Sequence, residues 1–234
     1  MKKAFKNFIK NILYEKLELP KNTYQNIHTN IKIKSYHEGK FNDLHNYFCS
    51  KDKHLNFNTE ITRFRNYNNY KFAELAIKNN PKLSFLSAGI SYGTSLKIIS
   101  HMLDNKAQKN NYYIIDNYQN LGGKNYNTDI KNVKIDLEKI KNFNFIFIEK
   151  LLSKKNLDEI NDKFSFIHLN TTNFETEFDC LPKVIDKLAN NGVLIIDYYG
   201  WSNEQQLAYD HYIEKNKNIF SYVSPSLQLI IIKS

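Results

Sequence analysis

Near-continuous apolar runs constrain this chain most, with Val193-Leu194-Ile195-Ile196 the clearest of them. A run without polar alternation has no face to offer water. It suits a strand buried on both sides, as in a parallel sheet covered by helices. Five such strands are expected, at 83–88, 112–116, 143–149, 164–170 and 193–198. Helical patterns lie between them at 94–103, 130–140, 156–161 and 177–189. A helix over 59–79 precedes the first strand and stops at Asn80-Pro81, because the residue before a proline disfavours the α region. After a helix at 204–214, two more strands, 220–223 and 227–232, are joined only by Ser224-Pro225-Ser226. That link is too short for a crossover, so the last strand must run antiparallel. The expected fold is α/β, a Rossmann-like doubly wound seven-stranded sheet closed by a terminal antiparallel hairpin. Its ligand crevice would lie at the carboxyl ends of the strands.

At 234 residues the chain accommodates one such domain, 59–234, behind an N-terminal helical extension, 1–58. Within the extension Phe5, Phe8, Ile9, Ile12 and Leu13 recur at helical spacing, interrupted by Lys6, Asn7, Lys10 and Asn11. That pattern makes an amphipathic helix and neither a signal peptide nor a membrane span. It would dock on the domain or on a second subunit of a homodimer, or lie on an anionic membrane surface without stable insertion. A second apolar patch, Leu44, Tyr47 and Phe48, sits in an otherwise irregular stretch. The extension is expected to act as a lid or dimer arm. Cys49 and Cys180 stand far apart and form no C-x-x-C pair, which suits a reducing, cytoplasmic location. The 33 basic and 24 acidic side chains leave a net charge of +9. The lysines are spread through every segment among Asn, Ile and Tyr, and form no basic stripe with stacking aromatics. We therefore read the excess as compositional bias, and expect no nucleic-acid partner.

The first strand runs into Ser87-Ala88-Gly89-Ile90-Ser91-Tyr92-Gly93-Thr94-Ser95, where a helix begins. Gly89 would permit a tight turn and close backbone approach, and Gly93 would let the helix start against a ligand. Thr94 or Ser95 would cap that helix, whose N–H groups face whatever binds. The turn is neither a dinucleotide G-x-G-x-x-G nor a G-K-[ST] phosphate loop. The second strand ends in Asp116, placed to accept both hydroxyls of an adenosine ribose or simply to begin the next turn. Strands four and five end in Asn170-Thr171-Thr172-Asn173-Phe174-Glu175 and Asp197-Tyr198. Asn170, Thr172, Glu175, Asp197 and Tyr198 are expected to line one pocket, where oxygen ligands would suit a hard cation such as Mg2+. His168 is read as a packed core histidine, and His211 as a surface or core-edge one. No Ser-His-Asp or Cys-His set assembles from spacing.

From Thr59 to Ser234 these motifs resemble the macrocin O-methyltransferase family of S-adenosylmethionine-dependent sugar O-methyltransferases. Thr59-Glu60-Ile61-Thr62-Arg63-Phe64-Arg65 is similar to that family's polar, Arg-containing first helix. The 87–95 segment falls over its glycine turn, and Asp116-Asn117-Tyr118-Gln119-Asn120-Leu121 over its Asp-Ser-Phe-x-Gly-Leu. Leu169 to Thr176 matches its Leu-Asp-x-Asp-x-Tyr-Glu-Ser, and Ile196 to Gly200 its Asp-Asp-Tyr-Gly. The resemblance implies S-adenosylmethionine held by Ser87, Gly89, Ser91, Tyr92, Gly93, Thr94, Ser95, Asp116, Asn117, Tyr118 and Asn170, with Tyr118 against the adenine. It implies a sugar or nucleotide-sugar acceptor whose proton passes to Asp197, directly or through a metal or water. The chain departs from the pattern at Ser87, in place of an acidic residue, and at Asn170, Thr172 and Tyr198, in place of metal-binding aspartates. Asp197 and Asn170 remain as a weak Mg2+ set. Two other readings stand beside this one: a methyltransferase for another small hydroxylated metabolite, and a non-catalytic binding module that keeps the fold. Nucleic-acid methylation lacks an N-P-P-Y-like segment for a flipped base.

Overall fold

The expected alternation folds into a single sheet. The computed structural model describes residues 34–51, 60–117 and 130–234. In chain order the elements are α1 (Lys34–His37), α2 (Gly39–Lys51), α3 (Glu60–Asn79), β1 (Ser84–Ala88), α4 (Thr94–Leu103), β2 (Asn110–Ile115), α5 (Ile130–Leu137) and β3 (Phe143–Ile148). There follow α6 (Lys154–Asp158), β4 (Phe164–Leu169), α7 (Phe174–Lys187), β5 (Leu188–Ile196), α8 (Asn203–Lys215), β6 (Ile219–Val223) and β7 (Leu229–Lys233). The sheet order is β3-β2-β1-β4-β5-β7-β6. The first five strands run parallel, and β7 inserts antiparallel between β5 and β6.

Successive residues of the central strands feed opposite cores, which is why their sequences are apolar throughout. On β5, Val193 and Ile195 join the cluster under α3 and α4, while Leu194 and Ile196 join the one under α7. Phe85 and Leu86 divide in the same way on β1.

Local chemistry sets the boundaries that differ from expectation. Helix α7 starts at Phe174 and not at 177, because the Asn173 side chain accepts the Thr176 N–H and caps the first turn. Ser153 and Ser202 cap α6 and α8 in the same manner. Strand β5 begins at Leu188 and carries a bulge, since Phe164 pairs with Leu188 but Phe166 with Val193.

The stretch expected to be irregular around Leu44, Tyr47 and Phe48 is the helix α2. Its Phe41 and Phe48 enter the core beside Phe64, Tyr67 and Ile98, and Lys51 pairs with Asp136. Tertiary burial thus holds a Lys- and Asn-rich segment helical whose own propensity is weak. The amphipathic pattern at Phe5 to Leu13 lies outside the described residues. Among the described residues no helix is long and apolar enough to cross a membrane.

Candidate active site

The tips of β1, β2, β4 and β5 stay paired one residue beyond each strand. Gly89 N–H donates to Ile115 O, Asn170 N–H to Ala88 O, and Asp197 N–H to Leu169 O. Asp116 N–H donates to Ile148 O, so Gly89, Asp116, Asn170 and Asp197 share the carboxyl edge of the sheet. A cleft opens above them. Helix α3 contributes Thr62, Arg65 and Asn66, and the turn after β1 contributes Ile90, Ser91, Tyr92, Thr94 and Ser95. Asn170, Asp197 and Tyr198 close the other side. The structure therefore brings together six of the residues expected to bind a cofactor or catalyse: Ser91, Tyr92, Thr94, Ser95, Asn170 and Asp197.

Several of the others have different neighbours from those expected. Ser87 is buried in the sheet with its Oγ 2.9 Å from the Tyr112 hydroxyl, and it does not line the cleft. Gly89 has φ +73°, and a Cβ there would stand 2.5 Å from Asn170 O, so it admits the β4 loop. Gly93, at φ +72°, faces Val133 of α5, where a Cβ would meet a methyl at 3.0 Å. Packing and turn geometry thus account for both glycines. Helix α4 begins at Gly93 with no side-chain cap, contrary to the expectation for Thr94 or Ser95. Ser95 Oγ instead accepts a hydrogen bond from Asn69 Nδ2 of α3 at 2.9 Å. Asp116 Oδ2 accepts the Ile90 N–H at 2.8 Å, holding the β1 turn against β2. Asn117 follows half-buried, and Tyr118 lies outside the described residues.

Asp197 reaches the cleft from a buried polar network. Its Oδ2 lies 3.0 Å from His168 Nε2, and its Oδ1 accepts from Gln228 Nε2 at 2.6 Å. Gln228 also donates to Asn69 Oδ1 and accepts from Asn68 and Ser226. Arg65 donates through Nε and Nη2 to the Ser226 carbonyl. Burial pushes the Asp197 carboxyl up, but His168, Arg65 and Gln228 outweigh it and hold it below the usual value of 3.8. His168 is the packed core residue expected, and Asp197 is what it packs against. His211 is exposed on α8.

The Mg2+ set does not fit. Among the described residues no three His, Cys, Asp or Glu side chains converge, and both Asp197 oxygens already accept or face nitrogen donors. Asn170 adds no charge, so Asp197 and Asn170 do not amount to a divalent-cation site.

The tips of strands four and five line two clefts in place of the one expected. Thr172 opens into a second cleft with Thr171, Phe174, Glu177, Tyr198, Trp201 and Gln205, and Tyr198 forms a wall of both. Glu175 is exposed and joins neither. The buried carboxylate is Glu177, which accepts from Tyr209 OH at 2.6 Å and Thr171 Oγ1 at 2.7 Å. Burial pushes its carboxyl above the usual 4.5, and these hydrogen bonds only partly offset that. The signal for Glu177 is in the sequence. With Cys180, Leu181, Val184 and Ile185 it completes the i, i+3, i+4, i+7, i+8 stripe of α7 that faces the core.

The strand order, the antiparallel β7 and the carboxyl-edge clefts define the class I methyltransferase fold. Solved structures share it. They include the O-methyltransferase NovP (14% identity, 73% of this chain and 79% of that one, TM-score 0.57). A second is the S-adenosylhomocysteine-bound Podospora anserina methyltransferase PaMTH1 (11%, 82% and 88%, TM-score 0.56). A third is CalS11, a TDP-rhamnose 3'-O-methyltransferase in calicheamicin biosynthesis (8%, 83% and 95%, TM-score 0.56). By sequence, neither a family model nor a curated protein matches the chain.

Proposed function

We propose that the protein is an S-adenosylmethionine-dependent O-methyltransferase whose acceptor is a hydroxyl of a sugar or sugar-bearing small molecule. One observation carries this reading. The β1–α4 turn, held by the Asp116 carboxylate at the end of β2, shares a cleft at the carboxyl edge of a class I methyltransferase sheet with a buried carboxylate, Asp197. The donor set suits the cofactor. Asp116 sits where ribose hydroxyls are held in such sheets, and the N-terminus of α4, with no side-chain cap at Gly93, lies beside the cleft lined by Thr94 and Ser95. Ser91, Tyr92, Thr94, Ser95 and Asn170 line the cleft beside that turn. The fold neighbours NovP and CalS11 bear O-methyltransferase names, and that of CalS11 specifies a sugar nucleotide.

When bound, the cofactor supplies a methyl group already activated as a sulfonium. The chain then has to align the acceptor hydroxyl, exclude water and remove a proton. Asp197 is our candidate for the last task. It is ionised at neutral pH, it reaches the cleft, and His168 and Gln228 fix its orientation. Calorimetric titration with S-adenosylhomocysteine tests the reading. The wild type should bind, and Asp116→Ala should weaken binding by about tenfold, the ~1.4 kcal/mol of a lost charged hydrogen bond. A folded wild type that shows no binding would remove the enzyme reading and leave the fold as a binding module.

A further inference from the structure

We infer that the second cleft is a seat for a neutral sugar ring, with Trp201 as its stacking platform and Gln205 as the acceptor for a ring hydroxyl. The inference rests on the methyl-transfer reading for its purpose, since Tyr198 is a common wall that sets a ring held here beside the first cleft.

Three observations carry it. First, Trp201 is the only tryptophan of the chain and, at 74% exposure, the most exposed large apolar side chain among the described residues. The Tyr198 ring meets it edge-on, with centroids 5.3 Å apart at 81°, and so steadies the indole beside the cleft. An aromatic face left in water at a cleft mouth matches the C–H face of a pyranose. Second, Gln205 lines this cleft, and its buried Oε1 has no hydrogen-bond partner among the described residues. A buried acceptor left unpaired costs about 1–3 kcal/mol, and a turn of the Gln205 amide toward the cleft lets a hydroxyl donor satisfy it. An apolar aromatic guest would leave that cost in place, whereas a sugar offers hydroxyls around its rim. Third, among the described residues the lining contains no Lys, Arg or His, and its charged member is Glu177. A phosphate would meet a carboxylate with no cation to offset it, so the ring sits here and any nucleoside diphosphate lies outside.

The single tryptophan makes the test direct, because its emission reports this cleft alone. Methyl α-rhamnoside, methyl α-glucoside, methyl α-galactoside and UDP would each be titrated into the full-length protein while fluorescence is followed. At least one glycoside should move the emission to shorter wavelength in a saturable way, and UDP should not. Gln205→Leu should weaken that titration about tenfold, the loss of one hydrogen bond. The variant's S-adenosylhomocysteine affinity should stay unchanged, and its thermal melt should not fall, because the substitution removes a buried acceptor that has no partner. The seat is refuted if no glycoside shifts the emission of protein that binds S-adenosylhomocysteine, or if UDP saturates the signal, or if Gln205→Leu titrates like the wild type. A glycoside shift sensitive to Gln205→Leu in protein that fails to bind S-adenosylhomocysteine would keep the seat and discard the cofactor reading.

Discussion

Asp197 and Glu177 stand at the same edge of the sheet, yet their surroundings drive the two carboxyls in opposite directions. Both are penalised by burial. Glu177 has hydroxyl and amide donors that do not fully compensate, while Asp197 has His168, Arg65 and Gln228. The raised Glu177 group keeps its proton longer in the folded state than in the unfolded one. Stability therefore falls as pH rises from about 4.5 through the folded value. Glu177→Gln should gain stability relative to wild type across that window in urea melts, and a pH-independent difference would show that burial does not govern this carboxyl. For Asp197 the sign reverses. Its contribution is present above 3.8 and lost as pH falls through the lower folded value. Asp197→Asn should cost about 1–3 kcal/mol at neutral pH by leaving a buried donor around it unpaired, and less in acid. The glycines differ as well. At Gly89 an added Cβ meets backbone, and at Gly93 the side chain of Val133. Gly89→Ala should lower the melting temperature well beyond Gly93→Ala, for which left-handed strain alone costs ~1 kcal/mol.

At the scale of elements, Gln228 ties three of them together. It sits on the turn before β7, is fully buried, and bonds Asn68 and Asn69 of α3 and Asp197 at the end of β5. Arg65 clamps α3 to the same turn through the Ser226 carbonyl. The hairpin that closes the sheet therefore also positions the wall of the first cleft. Gln228→Leu keeps the volume but strands polar groups on Asn68, Asn69 and Asp197, at about 1–3 kcal/mol for each. Urea denaturation should show that loss, and amide exchange should quicken in α3 before it does in β2 or β3. Uniform exchange across the sheet would show that the network does not couple helix to hairpin. The sequence marks each of these elements but not this linkage, because Asn68, Asn69 and Gln228 lie about 160 positions apart and carry no local periodicity.

At the scale of the whole molecule, a ligand that binds only the folded state raises stability by mass action. Saturation with S-adenosylhomocysteine at a hundredfold excess over its Kd should add ~2.7 kcal/mol, a rise of several degrees in melting temperature for a chain of this size. An unchanged melt would contradict the cofactor cleft. The sequence by itself determined the strands, most helices and the antiparallel closure. Burial on two faces leaves a local imprint of continuous apolar runs, and three linking residues cannot make a crossover. It likewise placed Asp116, Asn170 and Asp197 at strand ends, and those ends share one edge. Only the tertiary structure decided which neighbours those groups meet. Ser87 turns to Tyr112, Gly93 to Val133, Ser95 to Asn69, and Asp197 to His168 and Gln228. The division of the edge into two clefts was decided there too, since it depends on Tyr198 standing between them and on α3 covering only the first. Secondary structure follows from residue order because burial periodicity is local, whereas a site is made by contacts between residues far apart in the chain, which only packing selects.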